Sequence, residues 1–136
     1  MELVIVVVII GVIAGFAIPS YEKAMEKGRE KTAIVKLEGI AGGIKIYKAK
    51  HGSYPAFDMP NVTSINQNLQ LNVPADTMTY RCLQVDGALA NVCSAISPDG
   101  WSIHWHELGS GGNTIHCADG GPACPSCPFW ASGSCG

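Results

Sequence analysis

Six cysteines are the residues of this 136-residue chain whose chemistry is easiest to infer. An even number of cysteines in a loop-rich, glycine-rich region favours disulfide bonds, which persist outside the reducing cytosol. Cys82 and Cys93 flank a predicted hairpin and are expected to pair, while Cys117 and Cys135 bracket the tail and are the first choice for a second bond. Swapped pairings remain open, so the disulfide candidates are Cys82, Cys93, Cys117, Cys124, Cys127 and Cys135.

The stretch from Cys124 to Cys127 is a C-x-x-C, which suits redox chemistry or half of a zinc site. A redox pair normally opens a helix after a strand, and the prolines around this one argue against that. Zinc would need two further ligands, which His104, His106 or His116 could supply. His104 and His106 lie two residues apart on a predicted strand and share a face. This arrangement is more typical of a solvated or half-buried polar face than of a metal site. Structural disulfides are therefore favoured, and no metal or cofactor is predicted.

The sequence contains no recognisable catalytic site, because it lacks a nucleophile–base pair, a phosphate-binding loop and paired carboxylates. A net charge of −2 gives no basic excess that would suit nucleic acid. Asp119 is a candidate for a calcium loop near the carboxyl end, but it lacks the cluster of carboxylates that calcium prefers. The chain is therefore predicted not to be an enzyme and to have no catalytic residues.

An acid, Glu2, directly precedes the apolar run Leu3–Ile18, which contains Gly11 and Gly15 and is closed by Pro19. The run of about 16 residues is shorter than the roughly 20 of a complete membrane span and resembles the core of a signal peptide in size. No cleavage site follows it and the helical spacing continues, so the segment is expected to stay on the protein. Carboxylates are costly beside lipid, so Glu2 is either an interfacial acid at the edge of an anchor or has a functional partner.

One long helix is predicted to carry this run, from about residue 2 to about residue 50. Its first half is apolar all round, and its second half has an apolar stripe that needs a partner. At 1.5 Å per residue the helix is roughly 70 Å long. Gly52 is expected to cap it in a left-handed conformation. The stripe comprises Ala33, Ile34, Leu37, Ile40, Ala41, Ile44 and Tyr47.

Three glycines lie in the second half of this helix, and each destabilises the helix by about 1 kcal/mol relative to alanine. Close approach of a packed sheet is the expected benefit of Gly39, Gly42 and Gly43. Residues 53–77 are predicted to form a loop with a short turn of helix at Asn66–Leu71.

Four segments after this loop have the composition and alternation of strands. The tail that follows them contains too many glycines and prolines for regular structure. The expected fold class is α+β: a long amino-terminal helix packed on a small antiparallel sheet, with a disulfide-stapled carboxyl-terminal region. The predicted strands are Met78–Val85, Asn91–Ser97, Trp101–Leu108 and Thr114–Ala118.

Three regions of the chain follow from these elements. A hydrophobic helical segment covers residues 1–24, an amphipathic helix half covers 25–52, and a globular sheet domain with a cysteine-rich tail covers 53–136. A globular part of this size buries a limited core, so disulfide staples are expected to matter for its stability.

The segment MELVIVVVIIGVIAGFAIPSYEKA resembles the amino-terminal segment of type IV pilins and the related pseudopilins. Met1-Glu2-Leu3 matches the end of the family motif, Gly11 matches the family glycine, and Pro19 matches the proline that closes the apolar stretch. The stretch YKAKHGSYP is similar to the end of the long helix in many bacterial members. In the family a basic leader is cut just before a methylated first residue. That leader and about three residues after the cut do not occur here, so Met1 is expected to be an internal position.

The resemblance implies a structural subunit that polymerises with identical copies into an extracellular helical filament, with an inner-membrane precursor pool. It implies that Glu2 pairs with the amino terminus of a neighbouring subunit and selects its register. The run Leu3–Ile18 would anchor the subunit in the inner membrane and then pack in the filament core. Gly11, Gly15 and Pro19 weaken the helix, so Gly11–Pro19 is expected to unwind in the filament, the alternative being a tolerated kink of the kind common in membrane helices. The implied partners are identical subunits, the inner membrane and the pilus assembly machinery. Related filaments serve adhesion, motility, DNA uptake and electron transfer.

Two alternative functions share some of these features. A pseudopilin of a type II secretion system would use the same front half, and a calcium loop near the carboxyl end would favour it. A membrane-anchored metal- or thiol-binding protein would instead use Cys124 and Cys127. Bound metal in the purified protein would favour the second alternative.

Overall fold

The computed structural model describes residues 2–55, 58–83, 89–108, 113–117 and 124–125 of the chain. A long helix lies against one face of a four-stranded antiparallel sheet, so the predicted α+β fold class is confirmed. The described elements are α1 (Glu2–His51), α2 (Val62–Leu69), β1 (Thr79–Leu83), β2 (Leu89–Ile96), β3 (Ser102–Leu108) and β4 (Asn113–Cys117).

Helix α1 is continuous from Glu2 to His51, which agrees with the predicted extent. It runs as an α-helix through the positions of Gly11, Gly15 and Pro19. It ends as expected at Gly52, whose φ of 75° is left-handed and whose N–H donates to the carbonyl of Lys48 at 2.8 Å. At 1.5 Å per residue, its 50 residues extend about 75 Å.

The sheet is a meander in which every strand pairs with the next one along the chain, in the order β1-β2-β3-β4. Successive side chains alternate between the two faces, and the burial of β1 follows that alternation. The register places Cys93 opposite both Cys82 and Trp105, and Trp105 opposite Ile115, in one row across the inner face. The neighbouring row on the outer face contains Arg81, Ser94, His104 and His116.

The core lies between the second half of α1 and the inner face of the sheet. The predicted stripe on α1 supplies five buried residues, and Ile34 and Tyr47 pack partly buried against them. Burial on α1 begins one turn before the stripe, at Glu30, whose side chain is fully enclosed. The buried residues contributed by α1 and the sheet include Ala33, Leu37, Ile40, Ala41, Ile44, Tyr80, Cys82, Cys93, Ala95, Ile103 and Trp105.

The sheet does not pack closely against α1 at Gly39, Gly42 and Gly43, contrary to what the sequence predicts. A Cβ atom added at Gly39 or Gly42 would meet no described atom within 4 Å, so the sheet does not approach the helix closely there. Gly43 does lie in close contact, but with the side chain of Leu71 in the segment after α2, which would be 2.7 Å from an added Cβ. The close approach is therefore made by a single loop side chain.

Helix α2 is longer and begins earlier than the turn of helix predicted at Asn66–Leu71. Its first turn is capped by Asn61, whose side-chain oxygen accepts a hydrogen bond from the Ser64 N–H at 2.9 Å. Ile65 and Leu69 are buried, and a spacing of four places them on one face of the helix. Capping and burial together explain a helix where composition alone favoured a loop.

Gln70 ends α2 and is the one non-glycine residue with a positive φ in the part of the chain that the structure describes, at 54°. This conformation costs a residue with a Cβ atom about 1–2 kcal/mol, whereas glycine adopts it readily. Because glycine also loses more backbone entropy, we expect Gln70→Gly to raise the free energy of unfolding by about 0.5–1 kcal/mol. Urea denaturation followed by circular dichroism measures the change.

Gln67→Gly is the matched control, because Gln67 is exposed inside α2 with helical geometry. There the same substitution should lower the free energy of unfolding by about 1 kcal/mol. A loss of stability of similar size in both variants would show that the left-handed conformation of Gln70 is not strained.

Polar contacts fasten α1 to the sheet domain at two further places. Glu26 accepts a hydrogen bond from the Trp101 indole N–H at 3.1 Å and forms an ion pair with Arg29 at 2.6 Å. Lys36 donates to the Asp76 carboxylate at 2.6 Å. Burial tends to raise the pKa of Asp76, but its hydrogen bonds to Lys36 and to the backbone outweigh that effect and hold the pKa below its usual value.

Candidate functional site

The segment of α1 from Leu3 to Tyr21, here called its apolar half, carries no charged side chain, and none of its described side chains is buried. Its large hydrophobic side chains from Leu3 to Phe16 are each 52–79% exposed. The same helix then continues into the buried stripe, so one rigid element joins an unpartnered apolar segment to a packed domain. A soluble monomer rarely exposes so much contiguous apolar surface, which marks this segment as an interaction surface.

The predicted assembly residues all lie on this exposed half of the helix. Glu2 is exposed in its first turn, directly followed by Leu3. Gly11 and Gly15 are four apart and therefore share a face, where an added Cβ atom would meet nothing within 4 Å. Pro19 lies within the helix near the end of the apolar half. The helix thus places these residues along one free segment, away from the core.

Helix α1 is also long and apolar enough to cross a membrane, judged by length and composition. The residues from Leu3 to Tyr21 carry no charged side chain. At 1.5 Å per residue these extend about 28 Å, close to the roughly 30 Å of a bilayer's hydrocarbon core. The apolar half therefore has the dimensions of a single membrane span.

Among the residues that the structure describes, two disulfide bonds join four of the six candidate cysteines. Cys82 and Cys93 lie directly opposite each other on β1 and β2, with Cα atoms 4.0 Å apart, and form the bond expected from the sequence. Both are buried in the core. This bond closes the first hairpin across its two strands and is of a kind found outside the reducing cytosol.

The second bond differs from the pairing that the sequence favoured. Cys117 is bonded to Cys124, with Cα atoms 6.1 Å apart, and not to Cys135. Cys124 is therefore not a free thiol, which removes one of the two thiols required by a site built on Cys124 and Cys127. Cys127, Cys135 and the calcium candidate Asp119 lie outside the described residues.

Three histidines come together on the outer face of the sheet. His104 on β3 lies directly opposite His116 on β4, and His106 follows His104 by two residues on the same face. Cys117 lies opposite Ile103 on the inner face. Since alternate side chains point to opposite faces, the sheet separates the histidines from the Cys117–Cys124 disulfide.

The imidazole rings form a compact, half-buried triangle. His106 and His116 stack with ring centroids 4.6 Å apart, and the His104 centroid lies 6.0 Å from each. One ring nitrogen from each residue lies within 4.8 Å of the other two. Nε2 of His106 is buried and has no hydrogen-bond partner among the described residues. Burial lowers the pKa of His106, and the neighbouring His116 lowers it further.

The sequence named the three histidines as possible zinc ligands beside the cysteines, but it did not predict that they cluster with one another. The alternation around His104 and His106 placed both on one face. The facing position of His116 depends on how β3 and β4 align, and no local pattern specifies that alignment. The separation of the histidines from the Cys117–Cys124 disulfide depends on the same register.

Comparison with known proteins gives no match of any kind. No family model matches the chain, and neither a curated protein nor a solved structure is detectably similar to it.

Proposed function

We propose that this protein is a type IV pilin, a structural subunit that polymerises into an extracellular helical filament through the apolar half of α1. The observation that carries the proposal is the division of one continuous helix into two halves. One half is buried against a disulfide-stapled sheet, and the other is apolar on every side and free. Such a subunit needs an apolar environment for half of its helix before and after assembly.

In this proposal the apolar half of α1 is surrounded by lipid before assembly and by other subunits after it. The inner membrane surrounds the segment from Leu3 to Tyr21 before assembly, since its length matches a bilayer. Copies of the same segment then surround it in the filament core. Lipid tails and a protein core are similar in polarity, so the transfer between them depends on packing rather than on burial from water. Gly11 and Gly15, which share a face, would permit close approach of neighbouring helices there.

Glu2 supplies the directional contact in this proposal. A carboxylate beside lipid is unfavourable by a few kcal/mol, and a partner cation reduces that cost. The amino terminus of the preceding subunit is the cation that a head-to-tail assembly would bring to this position. Head-to-tail interfaces that do not close into a ring generate open helical filaments. The pair would therefore select the register in which each subunit enters the filament.

The segment from Gly11 to Pro19 is proposed to unwind on assembly. In the isolated subunit it is helical, although proline lacks a backbone donor and costs about 3 kcal/mol in a helix interior. Two glycines in the same stretch lower the cost of leaving the helix. Unwinding would lengthen the subunit and let the sheet domain settle on the filament surface. A filament map with regular helix through Ile18 would contradict this step.

Electron microscopy of sheared surface material provides the direct test. We expect thin filaments whose dominant polypeptide is this chain by mass spectrometry. A strain lacking the gene should lose them, and the gene restored in trans should return them. Chain found only in the membrane fraction, or filaments unchanged in the deletion strain, would contradict the proposal. Short periplasmic assemblies together with a protein-secretion defect would instead favour the pseudopilin alternative.

A further inference from the structure

The geometry points to a three-histidine site for a divalent transition-metal ion such as zinc, formed by His104, His106 and His116 on the outer face of the sheet. The site uses no cysteine and none of the residues of the apolar helix half.

Strand pairing brings the three ligands together without any contribution from a loop. His104 and His116 are paired residues of an antiparallel ladder, a relationship that holds Cβ atoms about 4.5–5.5 Å apart. His106 lies on the same face of the sheet, two residues after His104 on β3. Two adjacent strands therefore fix the Cα positions of all three histidines. Only the side-chain torsions have to change for the three rings to bind one ion.

The distances between the rings suit coordination to one ion. Zinc–nitrogen bonds of about 2.0–2.1 Å in a tetrahedron place ligand nitrogens about 3.3 Å apart and imidazole centroids about 5.2 Å apart. The observed centroid separations of 4.6–6.0 Å bracket that value. The ligand nitrogens, all within 4.8 Å of one another, need to converge by about 1.5 Å at most.

One rearrangement is required of the stacked pair. A bound ion lies near the plane of each imidazole that holds it, and the rings of His106 and His116 are nearly parallel, at 19°. Rotation about χ2 of either ring brings the planes to a common point, and this torsion has a broad, shallow profile in histidine. Metal binding is therefore expected to replace the stacked arrangement with a tilted one.

The buried nitrogen of His106 is an independent indication of a missing ligand. Buried polar atoms in folded proteins nearly always have a partner. Nε2 of His106 is enclosed and has none among the described residues. A metal ion bound at this nitrogen would supply that partner. Arg81 lies in the same outer row as His104 but is separated from it by Ser94, to which its guanidinium donates.

The ligand set selects the chemical class of the ion. Imidazole nitrogens suit zinc, copper, nickel and iron, whereas calcium and magnesium require oxygen ligands. Three protein nitrogens leave a fourth tetrahedral position open, as in zinc sites that keep a water or an external ligand. The site should therefore bind zinc, with an exchangeable fourth ligand, and should not bind calcium.

Zinc titration of the full chain tests the site. Protein purified in detergent without a polyhistidine tag is titrated with zinc chloride in competition with a chromophoric chelator. We expect one zinc per chain and an affinity at least about 100-fold weaker in His116→Gln. His51→Gln is the matched control, because His51 lies at the end of α1 outside the cluster and should leave zinc affinity unchanged. Millimolar calcium should not displace the zinc.

X-ray absorption on the zinc-loaded protein checks the ligands directly and does not depend on a variant. We expect a first shell of nitrogen and oxygen at about 2.0 Å, with the outer-shell pattern of imidazole rings and no sulfur. Absence of zinc binding below millimolar concentration, sulfur in the first shell, or equal affinity in His116→Gln would overturn the inference. A stoichiometry of half a zinc per chain would also overturn it, because one chain would then not supply all three ligands.

Discussion

Glu2→Ala is expected to abolish filament assembly while the subunit stays folded and membrane-bound. Glu2 is exposed in the first turn of a helix half that makes no buried contact with the described domain, so its removal leaves the core untouched. In the filament it would lie among apolar helices, paired with the terminal amine of a neighbour. Loss of one partner from a buried ion pair costs about 3–5 kcal/mol. That cost weakens the addition of each subunit by about 100-fold or more.

The measurement compares the amount of the chain in sheared filaments with the amount in the inner membrane, by quantitative immunoblot and electron microscopy. Glu22→Ala is the matched control, because it removes the same charge from an exposed position of α1 beyond the apolar half. That variant should assemble normally. Filament yield equal to wild type in Glu2→Ala would refute the role of this acid, and loss of the chain from the membrane fraction would point to an anchoring defect instead.

Trp105→Ala is expected to lower the free energy of unfolding of the sheet domain by about 3–5 kcal/mol. Trp105 is only 1% exposed and is among the largest fully buried side chains of the described core. It lies on β3 in the row that joins the Cys82–Cys93 disulfide to Ile115. Its removal would leave a cavity where the sheet meets α1. Most small domains have a total stability of only 5–15 kcal/mol, so this loss is a large fraction.

Chemical denaturation of the oxidised protein in detergent, followed by circular dichroism of the sheet, measures the loss. Tyr21→Ala is the control for truncation of a large aromatic side chain, because Tyr21 is 67% exposed on α1. It should change the stability of the sheet domain by less than about 0.5 kcal/mol. Similar losses in the two variants would mean that Trp105 does not organise the core.

The long helix and the strands could be predicted because their signals are local. Apolar residues at steps of three and four from Ala33 to Tyr47 define a helix face wherever the chain is placed. The alternation of side chains predicted the strand that contains Trp105. The end of α1 at Gly52 could be predicted because glycine readily adopts a left-handed conformation. These patterns predicted α1 to within a residue or so and the α+β class of the fold.

The second helix and the function of the glycines could not be predicted in the same way. Helix α2 depends on a cap by Asn61 and on burial of Ile65 and Leu69 in a site that α1 and β1 complete. The close approach at Gly43 is made by Leu71, which is distant in sequence. Both features are products of packing between segments far apart in the chain, and composition carries little information about such packing.

The sequence by itself determined that this protein has one helix of two unlike halves, an acid at the tip of the apolar half, and an alternating sheet with cysteines. Each of these depends on the chemistry of neighbouring residues. Only the tertiary structure decided that Cys117 pairs with Cys124 and that His116 faces His104. The position of His116 and the face on which Cys117 lies depend on strand register, because a shift of one residue would move every side chain of β4 to the opposite face. The same register brings three imidazoles together on one face, where the sequence favoured a polar surface and offered the histidines only as partners of a cysteine site.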